Sequence, residues 1–516
     1  MKKYIQTFGS DFSASVVVFL IALPLCLGIA VGSGAPLFAG IIGGFVGGMV
    51  IGALSGSQLS ISGPAAGLTV IVAAAILRLP AYEAFLLAVV LAGVFQIILG
   101  YLKAGIVADY VPYSVITGML AAIGLILILK QFPHILGYEA NYVGDESFSQ
   151  SNNENTFSGI LQAISRSAPL AIIIGTISLF IQIVWEVVLL KKVTFLKFIP
   201  APLVVVLVGV AINGYFLKQQ HPWALVGNHL VNIPVAKTFA EFTTFFTHPD
   251  LGYLNNPAVW TTAITIALVA SLETLFNIEA ADELDPYRRV TPTNRELKAQ
   301  GVGNIVSGFL GGMPVTSVIV RTSANISAGA KSKMSAVIHG ALLYLSASFI
   351  PGFLNLVPLS AIAGVLIYTG FKLAKPSIFL SFYKKGFDQF IPFVITIIAI
   401  LFTDLLIGIF IGIASGLFFV FRSNFKTSVF VVNMDHKYLF RLRKDVSFLN
   451  KPILKRKLEE VPARSYVLID ATRADFIDKD IIEVINDFLK HAQLKEIKVE
   501  IKRSESKPMH QLLHQP

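Results

Sequence analysis

Residues 12–77 contain no aspartate, glutamate, lysine or arginine, an uncharged run of 66 residues. A helix that spans a bilayer needs about 20 apolar residues, so this run has room for about three crossings. Of all 516 residues, 54% are hydrophobic and 14% are charged, whereas soluble domains carry about 25% charged residues. The chain is therefore predicted to be a polytopic membrane protein. Its basic residues fall in short clusters between apolar segments, which indicates topology signals and not a nucleic-acid-binding surface.

Apolar segments follow one another along the chain, seven before a polar gap and seven after it. They cover residues 12–32, 37–54, 62–77, 84–102, 114–129, 168–190, 200–217, 258–281, 299–311, 316–331, 335–350, 354–371, 388–402 and 404–421. With Lys2 and Lys3 in the cytoplasm, alternate turns carry the lysines and arginines, as the positive-inside rule requires. We therefore expect fourteen spans in the inner (plasma) membrane with both termini cytoplasmic. The membrane domain would be residues 1–426, with one repeat at about 10–217 and a second at about 258–421.

After Arg422 the composition changes from apolar to mixed. The alternation of residues predicts strands at 427–435, 465–470 and 496–501, and helices at 450–460 and 479–490. These elements would form a small cytoplasmic α/β domain at 427–505, followed by a polar tail at 506–516.

Two apolar segments are interrupted at matched positions, the third of each group of seven. In SISGPAAGLT the sequence alternates like a strand up to Ser62, breaks at Gly63 and Pro64, and continues as a helix. In GGMPVTSVIVRT the interruption is at 311–314, and a helix then runs towards Lys331. Two half-helices with facing N-termini are typical of inverted-repeat transporters, and free N–H groups at a helix start favour an anion. The interruptions therefore predict a binding site for a negatively charged solute.

Three polar residues in membrane segments are candidates for this site. Glu273 lies near the centre of the eighth segment, with Asn277 one turn further along the same face. A carboxylate within the membrane is costly and is by default functional, so Glu273 would carry H⁺ or, with Asn277, bind Na⁺. Arg321, in the second half-helix, either binds the anion or neutralises Glu273.

Several stretches of the sequence are similar to the SulP family of anion transporters, in the expected order and over the whole chain. They are FLIALPLCLGIAVGSGAPLFAGIIGG, LSISGPAAGLTVIV, GVGNIVSGFLGGMPVTSVIVRTSANISAGAKSKMSAV and VLIDATRADFID. The resemblance implies an all-α fold of seven plus seven inverted spans, divided into a core and a gate domain, with a C-terminal STAS domain. It also implies a homodimer in which the core moves like an elevator against the gate. The implied substrate-binding residues are Ser62, Ala65, Ala66, Gly67, Val318, Ile319, Val320 and Arg321, and the coupling carboxylate is Glu273.

The chain departs from the family's bicarbonate transporters at two of these positions. Ala65 stands where they have a threonine, and Glu273 stands where they have an aspartate and use Na⁺. We expect secondary-active transport, by H⁺ or Na⁺ symport or by anion exchange. The two differences weigh against bicarbonate and Na⁺ and favour proton coupling, and the anion stays open among sulfate, bicarbonate, chloride and dicarboxylates. Direct ATP drive is not expected because no P-loop motif is present. Two other readings stay open: a nucleobase permease of the same fold, and an anion channel or sensor that signals through its C-terminal domain.

Overall fold

The computed structural model describes residues 2–150, 154–189, 192, 199–236 and 238–504, with no description of the side chains of residues 2–6, 239, 421–428 and 444. The predicted tail at 506–516 lies outside the described residues. The chain divides into two compact units, Met1–Ile413 and Ala414–Pro516. The boundary between the units falls inside a helix, Leu405–Ser428, which also contains residue 426, where the change in composition predicted the end of the membrane domain.

The first unit is helical apart from two short strands that precede half-helices. Its elements are α1 (Lys2–Gly32), α2 (Leu37–Val46, extended by turns at Gly47–Ile51 and Gly52–Leu54), β1 (Ser62–Gly63), α3 (Thr69–Arg78, after a 3₁₀ turn at Ala66–Leu68), α4 (Tyr82–Tyr101), α5 (Tyr113–Ile135), α6 (Thr156–Ser165), α7 (Pro169–Val184, extended by a π turn at Trp185–Leu189), α8 (Ala201–Lys218), α9 (Phe239–Thr243), α10 (Pro257–Leu284), α11 (Thr293–Leu310), β2 (Thr316–Ser317), α12 (Ile319–Ser327), α13 (Met334–Phe349), α14 (Leu359–Leu373), α15 (Pro376–Lys384), α16 (Phe387–Phe402) and α17 (Leu405–Ser428).

Each of the fourteen predicted apolar segments contains one of these helices. Among the described residues, seven helices are long and apolar enough to cross a membrane. The ninth segment was predicted to begin at residue 299, but its helix begins at Thr293. Its first turns were missed because they are polar, and Glu296 is nevertheless fully buried there.

The helices of the first unit pack in two bundles. The first bundle contains α1, α2, α4, α10, α11, α13 and the two half-helices, and the second contains α5, α7, α8, α14 and α16. In each bundle, glycines let the backbones of neighbouring helices touch. A Cβ on Gly93 would lie 2.5 Å from the carbonyl oxygen of Gly301, and a Cβ on Gly124 would lie 2.6 Å from that of Gly370. Small residues allow such close approach. In lipid the hydrophobic effect does not drive helices together, so the van der Waals contacts made at close approach stabilise the packing.

The second unit contains a four-stranded mixed sheet with two helices. Its elements after α17 are β3 (Val429–Met434), β4 (Lys437–Val446), α18 (Lys451–Glu459), β5 (Tyr466–Ile477), α19 (Lys479–Leu494) and β6 (Lys498–Lys502). The strand order is β3-β4-β5-β6, with β3 and β4 antiparallel and the other two pairs parallel. The core of this unit includes Leu442, Ile469, Ile481 and Ile485.

The prediction of this unit missed one strand, β4. Its buried residues, among them Phe440 and Leu442, alternate with exposed or partly exposed charged residues, which hid the strand in the composition. Asp435 and His436 join β3 to β4 with positive φ angles of 39° and 60°, the backbone that a tight hairpin requires.

Candidate anion site between two half-helices

The two half-helices begin beside each other, after strands that pair with one another. Ser62 pairs with Ser317 and Gly63 with Thr316 in an antiparallel ladder. The amide of Val318 also donates to the carbonyl of Ile61 at 2.9 Å. This pairing confirms the predicted interruptions and brings the N-terminus of α12 close to the start of α3.

Side chains of the second half-helix fix the backbone that leads into the first. The hydroxyl of Thr322 accepts a hydrogen bond from the backbone N–H of Ile61 at 3.0 Å. The side-chain Nδ2 of Asn325 donates to the carbonyl of Leu59 at 2.8 Å. Both side chains are fully buried. Broken backbone within a membrane needs partners of this kind because lipid offers none.

Arg321 occupies the gap where the half-helices meet. Its side chain is fully buried, and its Nη2 donates to the carbonyl of Pro64 at 3.2 Å. A Cβ on Gly63 would lie 2.0 Å from Nη1, so the glycine makes room for the guanidinium. Both Nε and Nη1 are buried without a hydrogen-bond partner, and no ion pair joins Arg321 to Glu273 in the part of the chain that the structure describes. Arg321 therefore offers two unoccupied hydrogen-bond donors on a positive charge, which is the property an anion site needs.

Glu273 lies against the start of the first half-helix. A Cβ on Gly67 would be 3.0 Å from Oε1 and 3.1 Å from Oε2 of this carboxylate. Glu273 is buried, and its Oε2 has no hydrogen-bond partner. One turn along α10, Asn277 donates from Nδ2 to the carbonyl of Ser317 at 2.7 Å, and its buried Oδ1 is unpartnered. The two side chains thus present two unpartnered oxygens on one helix face.

The remaining candidate residues divide into two groups. Ala66 and Gly67 are partly exposed, so the backbone of the first half-helix start is accessible. Ala65, Val318, Ile319 and Val320 are buried in the main apolar cluster, so their side chains pack against apolar neighbours.

Ser62 was predicted to bind the substrate, but its hydroxyl faces α11. It accepts a hydrogen bond from Nε2 of Gln300 at 2.8 Å. Gln300 also donates to Glu296 at 3.0 Å. The position of Ser62 in the strand turns its side chain towards this polar network and away from the half-helix starts.

A polar stripe on α11 supports the site and was missed by the sequence reasoning. Glu296, Gln300 and Asn304 are spaced four residues apart and are fully buried on one face. Asn304 accepts from the amide of Val315 at 2.6 Å and donates to its carbonyl at 3.0 Å, which orders the segment before β2. The i, i+4 spacing of these polar residues is the signal that would have revealed the stripe.

Two cavities of about 310 Å³ each lie near opposite ends of α1. The one near its first turns, which we call the inner cavity, is lined in part by Ser13, Gln182 and Ser327, and by the ion pair of Lys372 Nζ with Glu186 Oε1 at 2.9 Å. The one near its last turns, the outer cavity, is lined in part by Val31, Tyr142 and Val231. Neither of these cavities is lined by Arg321 or Glu273.

Residues 8–400 match the sulfate permease family. The chain belongs to this family. Because the family consists of transporters, the chain is a multi-pass membrane transporter, and the prediction that it is not an enzyme is confirmed.

Two proteins that are similar in sequence align over most of this chain. YvdB of Bacillus subtilis is 27% identical over 419 residues, covering 81% of this chain and 74% of YvdB. The bicarbonate transporter BicA of Picosynechococcus is 25% identical over 426 residues, covering 81% of this chain and 70% of BicA.

A solved structure shares the fold. The murine Solute Carrier 26 family member A9 anion transporter, in its inward-facing state, superposes with a TM-score of 0.63 at 16% identity, covering 95% of this chain and 85% of the murine protein. The small α/β unit at the C-terminus fits the STAS domain that the sequence resemblance implied.

Proposed function

We propose that this transporter moves an inorganic anion of the sulfate or bicarbonate class, which binds at Arg321 between the starts of the two half-helices. The observation that carries this proposal is the buried guanidinium of Arg321, with Nε and Nη1 unpartnered. A buried charge without a partner is costly. An oxyanion bound there would accept hydrogen bonds from both nitrogens and from free N–H groups at the half-helix starts.

We propose that transport requires the first bundle to move against the second, as in an elevator. The inner and outer cavities approach the site from opposite sides, but neither is lined by Arg321. A movement of the half-helices relative to the second bundle would connect the site to each cavity in turn. In this proposal the inner cavity lies on the cytoplasmic side of the inner membrane, and both termini are cytoplasmic. The homodimer is proposed separately, from the family resemblance.

We propose that Glu273 couples anion transport to a proton. A desolvated carboxylate with no cationic partner among the described residues favours taking up a cation with the anion. A proton needs one oxygen, whereas a metal ion needs several. On this face the described residues offer two unpartnered oxygens, from Glu273 and Asn277, so H⁺ is favoured and Na⁺ is the alternative.

Uptake into proteoliposomes tests the substrate and the coupling together. Labelled sulfate, bicarbonate and a dicarboxylate would each be supplied under three conditions. These are no gradient, an inward proton gradient with the outside acidic, and an inward Na⁺ gradient. We expect saturable uptake of at least one inorganic anion, accelerated by the pH gradient. Acceleration by the Na⁺ gradient alone would identify Na⁺, and not H⁺, as the coupling ion. If none of the inorganic anions were taken up, the proposed function would be contradicted.

Replacing Glu273 with glutamine removes the charge and keeps the shape. We expect Glu273→Gln to abolish pH-driven uptake while it retains binding of the anion at Arg321, because the amide cannot carry the proton. The control is Glu83→Gln, at the start of α4, which should behave like the unmodified chain. Uptake by Glu273→Gln that still responds fully to the pH gradient would show that the proton is carried elsewhere.

A further inference from the structure

The loop between α5 and α6 reaches into the first bundle from the second. The carbonyl oxygen of Val143 would lie 1.8 Å from a Cβ on Gly28, and the ring of Tyr142 would lie 2.3 Å from a Cβ on Gly32. Both glycines are on α1, and the absence of their side chains creates the space that the loop fills. The hydroxyl of Tyr142 faces Thr69 at the start of α3. The loop is therefore seated beside the first half-helix.

One acidic residue of the loop is fixed and its neighbour is not. Asp145 is buried, lies 3.8 Å from Nζ of Lys130 on α5, and accepts a hydrogen bond from the amide of Ser147 at 3.0 Å. Glu146 is partly accessible and forms no hydrogen bond or ion pair with any residue that the structure describes. The contacts of Asp145 fix the backbone next to Glu146 and leave the Glu146 carboxylate without a bonding partner among the described residues.

Glu146 lies within electrostatic range of the candidate site. It is attracted by Arg321 on α12 and Lys130 on α5, and it is repelled by Asp145 on its own loop and by Glu273 on α10. Among these charged groups, Arg321 is the one to which the transported anion would also bind. A carboxylate of the chain and a transported oxyanion therefore have the same partner available.

We propose that Glu146 is a tethered carboxylate that competes with the transported anion for Arg321 at the outer end of the site. This inference rests on the proposed function, since it assigns Arg321 to the anion. In the absence of an anion the carboxylate compensates the buried guanidinium. An anion that binds from the outside must displace it, so the loop acts as a gate whose strength depends on the charge of Glu146.

The protonation state of Glu146 changes near neutral pH. Burial of the carboxyl group, followed by repulsion from Asp145, raises the pKa of Glu146 to about 7, against the opposing effects of Lys130 and Arg321. Below this pH the protonated group does not compete, and above it the charged group does. If binding requires the protonated form, the competent fraction falls about tenfold between about pH 6 and pH 8, and the apparent affinity falls with it.

Binding of labelled sulfate to the purified full-length protein at pH 6 and pH 8 tests this competition. Sulfate is chosen because it keeps its double negative charge throughout this range. We expect the ratio of the sulfate affinities at pH 6 and pH 8 to be about tenfold larger in the unmodified chain than in Glu146→Gln, where any remaining pH dependence comes from Glu273. The control is Glu154→Gln in the same loop, where the carboxylate accepts a hydrogen bond from Tyr138 at 2.8 Å. It should follow the unmodified chain. An equal affinity ratio in Glu146→Gln and in the unmodified chain overturns the proposal.

A labelling experiment separates failure of this inference from failure of the proposed function. Cys26 is the single cysteine of the chain, so Cys26→Ala with Glu146→Cys leaves one thiol at the position in question. In sealed membranes, we expect a membrane-impermeant cationic methanethiosulfonate to modify this thiol from the external side only. Modification from the inner side, or none, would overturn the placement of Glu146. If the unmodified chain binds no sulfate but the thiol reacts from outside, the gate is correctly placed and the assigned anion is wrong.

Discussion

The two half-helices meet at one point but bring different chemistry to it. The first half-helix begins with Ala66 and Gly67, which are partly exposed and have almost no side chain, so it offers backbone N–H groups and space. The second begins with buried apolar residues and carries Arg321, whose guanidinium reaches back to Pro64. The two repeats share a design in sequence, a break followed by a helix. Under the proposed function, one copy would receive the solute and the other would supply the fixed charge.

This division of roles predicts that charge at Arg321 matters most. We expect Arg321→Ala to weaken sulfate binding by about 10- to 100-fold, because hydrogen bonds to a charged group contribute about 1.5–3 kcal/mol. Arg321→Lys keeps the charge but lacks the planar fork, and should recover part of the affinity. Equilibrium binding of labelled sulfate at pH 6 measures both variants. An unchanged affinity in Arg321→Ala would mean that the second half-helix is a structural support and that the comparison is false.

Space at the first half-helix should matter next. A methyl group on Gly63 would overlap Nη1 of Arg321 at 2.0 Å, and the overlapping atom is the end of a flexible side chain. We therefore expect Gly63→Ala to fold and to displace the guanidinium with its charge intact. Loss of aligned hydrogen bonds would weaken sulfate binding by about tenfold.

The control for this substitution is Gly214→Ala on α8, where a Cβ would meet no atom within 4 Å. Both variants would be compared in the same sulfate-binding assay. Binding by Gly63→Ala that equals binding by Gly214→Ala would indicate that the position of the guanidinium is not critical and that its charge alone acts over a distance.

Much of this site could be predicted from local sequence, since its main features are breaks and charges in an apolar background. Pro64 and Gly311 marked the interruptions, and Glu273 and Arg321 were visible because ionisable residues are rare in such segments. The meeting of the two half-helix starts followed from the matched positions of the breaks, whereas the pairing of β1 with β2 was not predicted. These features depend on neighbours within a few residues, and composition reports them directly.

Long-range placements were not predictable in this way. The seating of the Glu146 loop against α1 could not be predicted, because nothing local shows that Gly28 and Gly32 leave space for it. The Ser62 hydroxyl was predicted to bind the solute, and its hydrogen bond from Gln300 was not foreseen because Gln300 is 238 residues away in the sequence. The side of an element that faces a distant partner is set by packing, and a single sequence does not report it.

The smallest effect on binding should come from the contacts that hold the half-helices together. Thr322→Val removes the hydroxyl that accepts from the amide of Ile61 at 3.0 Å and leaves that amide buried without a partner. An unsatisfied buried donor costs about 1–3 kcal/mol, so we expect a lower melting temperature with sulfate affinity changed by only a few-fold. The matched control is Thr265→Val on α10, where the hydroxyl is exposed and donates only to the carbonyl of Thr261 at 2.9 Å. Thermal unfolding followed by tryptophan fluorescence measures both. If Thr322→Val instead lost affinity as strongly as Arg321→Ala without losing stability, Thr322 would belong with Arg321 to the binding chemistry, and the second half-helix would supply more than charge.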